Sequence, residues 1–262
     1  MARVLAISSH VTHGNVGLTA TVPALQWLGH EVWPMPTVLL ASRPGLGRMA
    51  RHAIPPSELA AMLAALETDL SWPTLDAVLT GYFPSAESVA VAADAVARIK
   101  QAKPDIPVLV DPILGDAGSL YVSEATAHAV RDRLLGLATV TTPNLFELQW
   151  LTGTGSTTRG EIEVAARRLG VPHAIVTSAM ESATHISTLL VTAAGATEYT
   201  SPVRQGLPNG AGDVFAGLLL GNILSGGSVE AALEPALRDL DRVLAVSQNL
   251  PALQLSALGK GV

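Results

Sequence analysis

The chain contains no cysteine, which removes disulfide frameworks, thiolate zinc sites and cysteine nucleophiles from consideration. Basic residues are also scarce: Lys and Arg number 16 against 22 Asp and Glu, for a net charge of −6, and they nowhere gather into a run. A nucleic-acid groove or a polybasic membrane patch is therefore not expected, and any site for phosphate must be built locally. No apolar stretch reaches the ~18 residues of a membrane span. The opening MARVLAISSH has a short apolar run that predicts a strand rather than a signal peptide. These absences fit a cytoplasmic enzyme. A Walker A loop, the protein-kinase signature and a Ser, His and acid trio at a nucleophile elbow are all missing, so neither P-loop nor hydrolase chemistry has support. There is no repeat of fixed period and no low-complexity linker.

What is present is a chain of 262 residues with 48% hydrophobic content, enough for one large core, and 1–262 is expected to form a single domain. Strands are predicted over Val4–Ser8, Glu31–Pro34, Asp76–Thr80, Val108–Val110, Thr139–Thr142 and Ala174–Thr177, with a hairpin over Leu189–Thr192 and Thr197–Thr200. Between them fall helices over Leu18–Leu28, Ser57–Asp69, Ser85–Lys100, Glu124–Leu135 and Ile162–Leu169, one starting near Pro143, Asn144 and Glu147, and two more from Asp213 and Ser228, the last with a kink expected near Pro235. Alternating strands and helices predict an α/β fold: a three-layer α/β/α sandwich on a mostly parallel sheet with a small antiparallel edge. A Gly-punctuated loop is expected from Ser9 to Gly17, and the proline-rich segment 36–56 reads as a loop or flap.

Polar residues collect at the predicted strand ends. Ser9 follows the first strand, Gly81 and Tyr82 the third, Asp111 and Asp116 the fourth, Asn144 and Glu147 the fifth, Thr177 and Ser178 the sixth. In open α/β sheets ligands bind beyond the carboxyl ends of the strands, so these groups should share one cleft. Asp111, Asp116, Asn144 and Glu147 are oxygen donors of the kind that suit Mg²⁺ held mainly through waters and substrate phosphates; each taken singly is more often a turn former or helix cap, and together at adjacent strand ends they favour a metal-assisted phosphoryl-transfer site.

Gly206–Leu224, GLPNGAGDVFAGLLLGNIL, passes from a turn-rich run directly into an apolar helical pattern. Gly210, Ala211 and Gly212 leave their N–H groups open to an anion, and the helix adds its positive end. Asp213 within that cradle admits two roles: helix N-cap, or the base that takes a proton from a hydroxyl attacking a phosphoryl group. Gly45 to Ala50 matches G-x-G-x-x-A, but its flanking prolines rule out a dinucleotide fingerprint. His10 and His13 are expected to be polar loop residues, and Trp27, Trp33, Trp72 and Trp150 to lie in the core or at an interface.

Taken together, these pieces resemble the ribokinase-like superfamily, most closely the pyridoxal kinases. The resemblance covers nearly the whole chain. It rests on Ser8-Ser-His-Val-Thr-His-Gly-Asn-Val-Gly17, Leu25-Gln-Trp-Leu-Gly-His-Glu-Val-Trp-Pro34, Leu79-Thr-Gly-Tyr82, Asp111-Pro-Ile-Leu-Gly-Asp116, Thr142-Pro-Asn-Leu-Phe-Glu147, Val176-Thr-Ser178 and Gly210-Ala-Gly-Asp213, in family order. It implies transfer of the γ-phosphoryl of ATP to the 5′-hydroxymethyl of pyridoxal, pyridoxine or pyridoxamine. Asp213 would be the base and Gly210, Ala211 and Gly212 the anion hole. Asp111, Asn144, Glu147, Thr177 and Ser178, with Gly210 and Gly212, would face the nucleotide. Asp111, Asp116 and Glu147 would organise Mg²⁺, and a monovalent cation such as K⁺ is a further cofactor the resemblance admits. Ser9, Val16, Val38, Leu40, Arg43, Tyr82, Tyr121 and Asp213 would surround the substrate. A homodimer is implied, with the Trp33 region as contact.

The chain also departs from the family. Where the family flap commonly reads S-N-H-T-G-Y-G, this sequence has Ala41-Ser-Arg-Pro-Gly-Leu-Gly47, so that Arg43 and Pro44 replace a histidine and a threonine. A guanidinium accepts no hydrogen bond, and proline lacks both a hydroxyl and an N–H. Ala211 stands where pyridoxal kinases have threonine, and Ala179 to Ile186 is short for a nucleotide-side loop. A kinase for a hydroxymethylpyrimidine or sugar, or a non-catalytic B6-binding relative, are the alternative readings.

Overall fold

The structure, a computed structural model, describes residues 1–43, 50–70 and 72–259. Pro44, and all of the G-x-G-x-x-A match except Ala50, lie outside the described residues. In chain order the elements are β1 (Arg3–His13), α1 (Leu18–Trp27), β2 (Glu31–Ser42), β3 (Arg51–Ala53), α2 (Pro56–Leu70), β4 (Ala77–Thr80), α3 (Ala86–Ala102), β5 (Val108–Val110), β6 (Gly115–Asp116), β7 (Ser119–Leu120), α4 (Glu124–Ala129), β8 (Val140–Thr141), α5 (Leu145–Thr152), α6 (Arg159–Arg168), β9 (His173–Glu181), β10 (His185–Val191), β11 (Ala196–Pro202), α7 (Ala211–Leu224) and α8 (Val229–Ser247).

Nine strands form one sheet in the order β11-β10-β9-β8-β5-β4-β1-β2-β3, and β6 with β7 makes a separate two-stranded ribbon. The six strands from β9 to β2 run parallel, while β10 and β11 at one edge and β3 at the other run antiparallel. The architecture is the expected three-layer sandwich, with antiparallel strands at both edges rather than one. Strand residues alternate between two cores. Val4, Ala6, Leu79, Leu109 and Val140 face α1, α7 and α8. Leu5, Ile7, Val78, Val108 and Val110 face α2, α3 and α4. Burial on both faces explains why these strands are continuous apolar runs.

The chain order reverses beside β1, whose neighbours are β2 on one side and β4 on the other. A crevice opens at such a switch point, at the carboxyl ends of the strands. α7 packs against α1, α8 and β4, with Val214–Gly221 buried throughout, as befits a helix that is apolar all round.

Four segments differ from the sequence reading. β1 does not end at Ser8: its register shifts between Ser8 and Ser9, and pairing with β2 continues to His13 opposite Ser42. The first part of the proposed 36–56 flap is thereby strand, since Thr37 and Val38 are buried while Leu39 is 41% exposed. Pro34 and Pro36 sit where β2 pairs only with β1, because β3 joins it only from Val38 to Leu40. A strand tolerates proline where one edge needs no N–H donor. The helix read over Glu124–Leu135 is α-helical only to Ala129, continuing as a π turn to Leu134 and a 3₁₀ turn to Leu137. The hairpin also starts earlier: β9 runs to Glu181 and β10 begins at His185, so the Ala179–Ile186 segment is mostly strand. α8 remains helical through Pro235. Trp72 is buried, whereas Trp27 is 37% exposed.

Candidate active site

The helix start at Gly210 is the centre of the site. Gly210 is the N-cap of α7 with φ 112°, and no side chain caps the helix. The first N–H groups of a helix have no partner within it, so those of Ala211, Gly212 and Asp213 are available to an anion. The N-cap role considered for Asp213 is thus filled by Gly210. Glycine is required there twice over, by its left-handed φ and because a Cβ would run into the Asn15 carbonyl oxygen.

Asp213 lies in the first turn of α7 and accepts a hydrogen bond from the Gly17 N–H at the start of α1. Its own carbonyl accepts from Thr21 Oγ1 at 3.2 Å. Burial pushes the Asp213 carboxyl up to about 6, against the Gly17 hydrogen bond, which favours the charged form. The group therefore titrates near neutrality, where a general base works best.

Across from it, Asp111 follows β5, 6% exposed, with Thr142 Oγ1 donating to its Oδ1 at 3.0 Å. A Cβ on Gly212 would stand 3.9 Å from Asp111 Oδ2, which places this carboxylate under the α7 N-terminus. Burial raises the Asp111 carboxyl well above its ordinary range, and the negative charges of Glu147 and Asp213 raise it further.

Glu147 is 4% exposed and ties three segments together. Its Oε1 accepts from Leu114 N–H at 2.8 Å and Gly115 N–H at 3.4 Å, and its Oε2 accepts from Asn144 N–H at 2.9 Å. Asn144 Oδ1 in turn accepts from Glu147 N–H at 2.9 Å, completing a capping box at the start of α5. Asn144 Nδ2 donates to Gly115 O at 2.9 Å. Burial pushes the Glu147 carboxyl up to about 7, opposed by these backbone donors.

The remaining residues fall around this frame. Asn144 bridges in parallel to Thr177, whose N–H donates to Pro143 O at 2.9 Å, and Ser178 adopts φ 49° just beyond. Asp116 is exposed at the tip of the β6–β7 ribbon, where its Oδ1 accepts from Ala117 N–H at 2.7 Å. Tyr121 is 59% exposed, and burial together with the charges of Asp116 and Glu147 raises its phenol. Tyr82 follows β4; its N–H donates to Ser8 Oγ at 3.0 Å and its carbonyl accepts from Thr37 Oγ1 at 2.8 Å. Burial raises the Tyr82 phenol, partly offset by Arg51 of β3. Ser9, Val16 and Val38 are buried, Leu40 is half-buried, and Arg43 Nε–H donates to Pro251 O at 2.9 Å. His10 and His13 are exposed on β1. Three residues apart, they project to opposite faces of the strand and cannot share a metal.

Among the described residues no three His, Cys, Asp or Glu side chains converge to cage a metal ion. Asp116 is exposed on its ribbon with Oδ1 taken by the Ala117 N–H, though its charge reaches Glu147, and both Glu147 oxygens accept from backbone donors. Asp111 nonetheless fits a cation: it is a buried carboxylate crowded by two like charges. Mg²⁺ commonly binds through one or two carboxylates, waters and substrate phosphates rather than an all-protein cage.

Ser8, Gly17, Thr21, Thr37, Arg51 and Thr142 were not assigned roles from the sequence, although they hold or flank the site. The available signal was polarity out of place: Thr21 lies on the apolar α1 and is 1% exposed.

The phosphomethylpyrimidine kinase family profile matches residues 12–253. Pyridoxal kinase PdxY of Corynebacterium diphtheriae is 36% identical over 228 residues, covering 84% of this chain and 81% of the relative. The pyridoxal kinase of Entamoeba histolytica superposes with a TM-score of 0.93 at 26% identity, covering 99% of this chain and 95% of that one. Pyridoxal kinase of Leishmania donovani in complex with ADP and pyridoxamine gives a TM-score of 0.88 at 30% identity, covering 98% and 94%. With its helix-start cradle, buried carboxylates and strand order, the chain belongs to the phosphomethylpyrimidine kinase family of ribokinase-like fold, and its similarity there is to pyridoxal kinases.

Proposed function

We propose that this chain transfers the γ-phosphoryl group of ATP to the 5′-hydroxymethyl group of pyridoxal or a related B6 vitamer. The observation that carries this reading is the uncapped α7 N-terminus with a near-neutral carboxylate in its first turn. Asp213 accepts the proton of the substrate hydroxyl as its oxygen attacks the γ-phosphorus. The N–H groups of Ala211, Gly212 and Asp213 receive charge that develops on the transferring oxygens, and ADP leaves. Fixed donors need little reorganisation as charge develops, so they stabilise it more than mobile solvent does.

Asp111 is the proposed carboxylate for Mg²⁺, with Glu147 and Asn144 holding the 113–115 loop beside it. Mg²⁺ would supply neutralisation of phosphate charge. Thr177 and Ser178 are assigned to the nucleotide side. Ser9, Val16, Val38, Leu40, Tyr82 and Tyr121 are assigned to the substrate side. A homodimer in the cytoplasm is part of the same reading; among the described residues no helix is long and apolar enough to cross a membrane.

The test is turnover of ATP to ADP by purified protein with Mg²⁺ and each of pyridoxal, pyridoxine and pyridoxamine. A hydroxymethylpyrimidine belongs in the panel because of the family's description. Phosphorylation of at least one vitamer is expected; turnover of the pyrimidine alone, or of nothing, overturns the assignment.

A further inference from the structure

The loop leading into α7 has little regular structure of its own, yet the cradle at its end must be held to a fraction of an ångström to favour a transition state. What surrounds it is the segment that follows α8. Asn249, at φ 59°, donates its N–H to Gly206 O at 2.8 Å. The Leu253 side chain, 1% exposed, packs 3.2 Å from where a Gly210 Cβ would stand. Ser247 Oγ, itself fully buried, accepts from Gln254 N–H at 2.9 Å and anchors the far end of the segment on α8.

Two side chains from the other end of the protein grip the same segment. Asn15 Nδ2 donates to Leu253 O at 2.6 Å, while the Asn15 carbonyl presses against Gly210. Arg43, at the end of β2, donates from Nε to Pro251 O at 2.9 Å; its N–H bonds His13 O at 3.0 Å, and its side-chain stem lies against Gly14. Flap strand, first loop, C-terminal segment and anion cradle are thus in continuous contact.

We propose that residues 249–253 form a strap that sets the position of the α7 anion cradle, and that Asn15 and Arg43 are positioning residues for phosphoryl transfer because they hold this strap. Arg43 acts here through the Pro251 carbonyl, on catalysis rather than on substrate affinity. A cradle that drifts loses donors aimed at the transferring phosphoryl group while ground-state contacts persist. The proposal rests on the kinase reading for its kinetic arm only.

The experiment compares wild type with Arg43→Ala, Arg43→Lys and Asn15→Ala, by steady-state kinetics and by amide hydrogen exchange at Val214, whose N–H bonds Gly210 O, and in 249–254, where the Asn249 N–H bonds Gly206 O. Arg43→Ala and Asn15→Ala are expected to lower kcat about tenfold, with KM for vitamer and ATP changed less than about threefold, the ratio expected of an interaction made only in the transition state. Exchange at both places should rise in both variants. Arg43→Lys keeps an N–H donor and should recover much of kcat and protection. A rise in vitamer KM with unchanged kcat and unchanged exchange would place Arg43 on the substrate and overturn the strap. Unchanged exchange at Val214 and Asn249 in Arg43→Ala and Asn15→Ala overturns it whatever the kinetics. If wild type phosphorylates nothing, the kinase reading fails, and the exchange arm still decides the strap.

Discussion

The Gly17 backbone N–H, at the start of α1, donates to the carboxylate of Asp213 in the first turn of α7. The first βα unit and the second-last helix therefore meet at the proposed base. The hydrogen bond stabilises the carboxylate while burial destabilises it, and burial wins, leaving the group near neutrality rather than deep in the acid range.

Replacing this base should separate binding from chemistry. Asp213→Asn is expected to lower kcat by about 10²–10⁴-fold, the usual worth of a positioned base. Vitamer and ADP affinities, measured by calorimetry, should stay within a few-fold of wild type. Asn keeps an oxygen for the Gly17 N–H.

The pH dependence follows with a definite sign. The base must be ionised, so kcat/KM should fall as pH drops through about 6, the value to which Asp213 is raised. Stability moves oppositely. The folded protein holds this proton to a higher pH than the unfolded chain, so between 3.8 and about 6 the Asp213 contribution to stability decreases as pH rises. Above that window the charged form is a full liability, and Asp213→Asn should melt higher than wild type at pH 8, as read by calorimetry.

Gly210→Ala tests the cradle itself. A Cβ at φ 112° is strained and meets the Asn15 carbonyl. Strain of this kind costs about 1–3 kcal/mol. Urea denaturation should show that loss, and kcat of the folded fraction should fall.

The capping box has a structural role that can be isolated. Asn144→Ala removes the acceptor for Glu147 N–H and the donor to Gly115 O. Loss of an N-cap costs about 0.5–2 kcal/mol. Asn144→Ser should recover part of the stability, because serine also caps.

Chelation addresses the metal. EDTA should abolish turnover and Mg²⁺ restore it. Asp111→Asn should raise the Mg²⁺ concentration needed for half-maximal rate, because an amide carries no charge to attract the ion.

Much of this organisation is carried by local sequence. Alternating apolar runs and helical patterns determine a layered α/β fold, since each side chain's face follows from its backbone period. Polar residues following apolar strands mark the carboxyl ends of the sheet, which is why Asp111, Asn144 and Glu147 could be expected to lie near one another, as their mutual charges and bonds show. Gly210 and Asp213 were visible as a pair, but not which of them caps the helix, because a cap depends on one residue's φ. The long β1–β2 pairing was hidden because a strand's length depends on a partner: the prolines of β2 suggest a loop until its free edge is known.

Tertiary structure alone decided what each polar group touches. The Gly17–Asp213 bond, the Thr142–Asp111 bond and the Arg43–Pro251 bond join residues far apart in sequence. Burial and neighbouring charge set how readily each carboxyl ionises, and both arise only when the chain has packed. Composition and pattern determined a layered α/β fold with polar residues gathered at the carboxyl ends of a parallel sheet. Packing decided that its acid would titrate near neutral pH, because desolvation depends on everything folded around a residue rather than on the residues beside it in the chain.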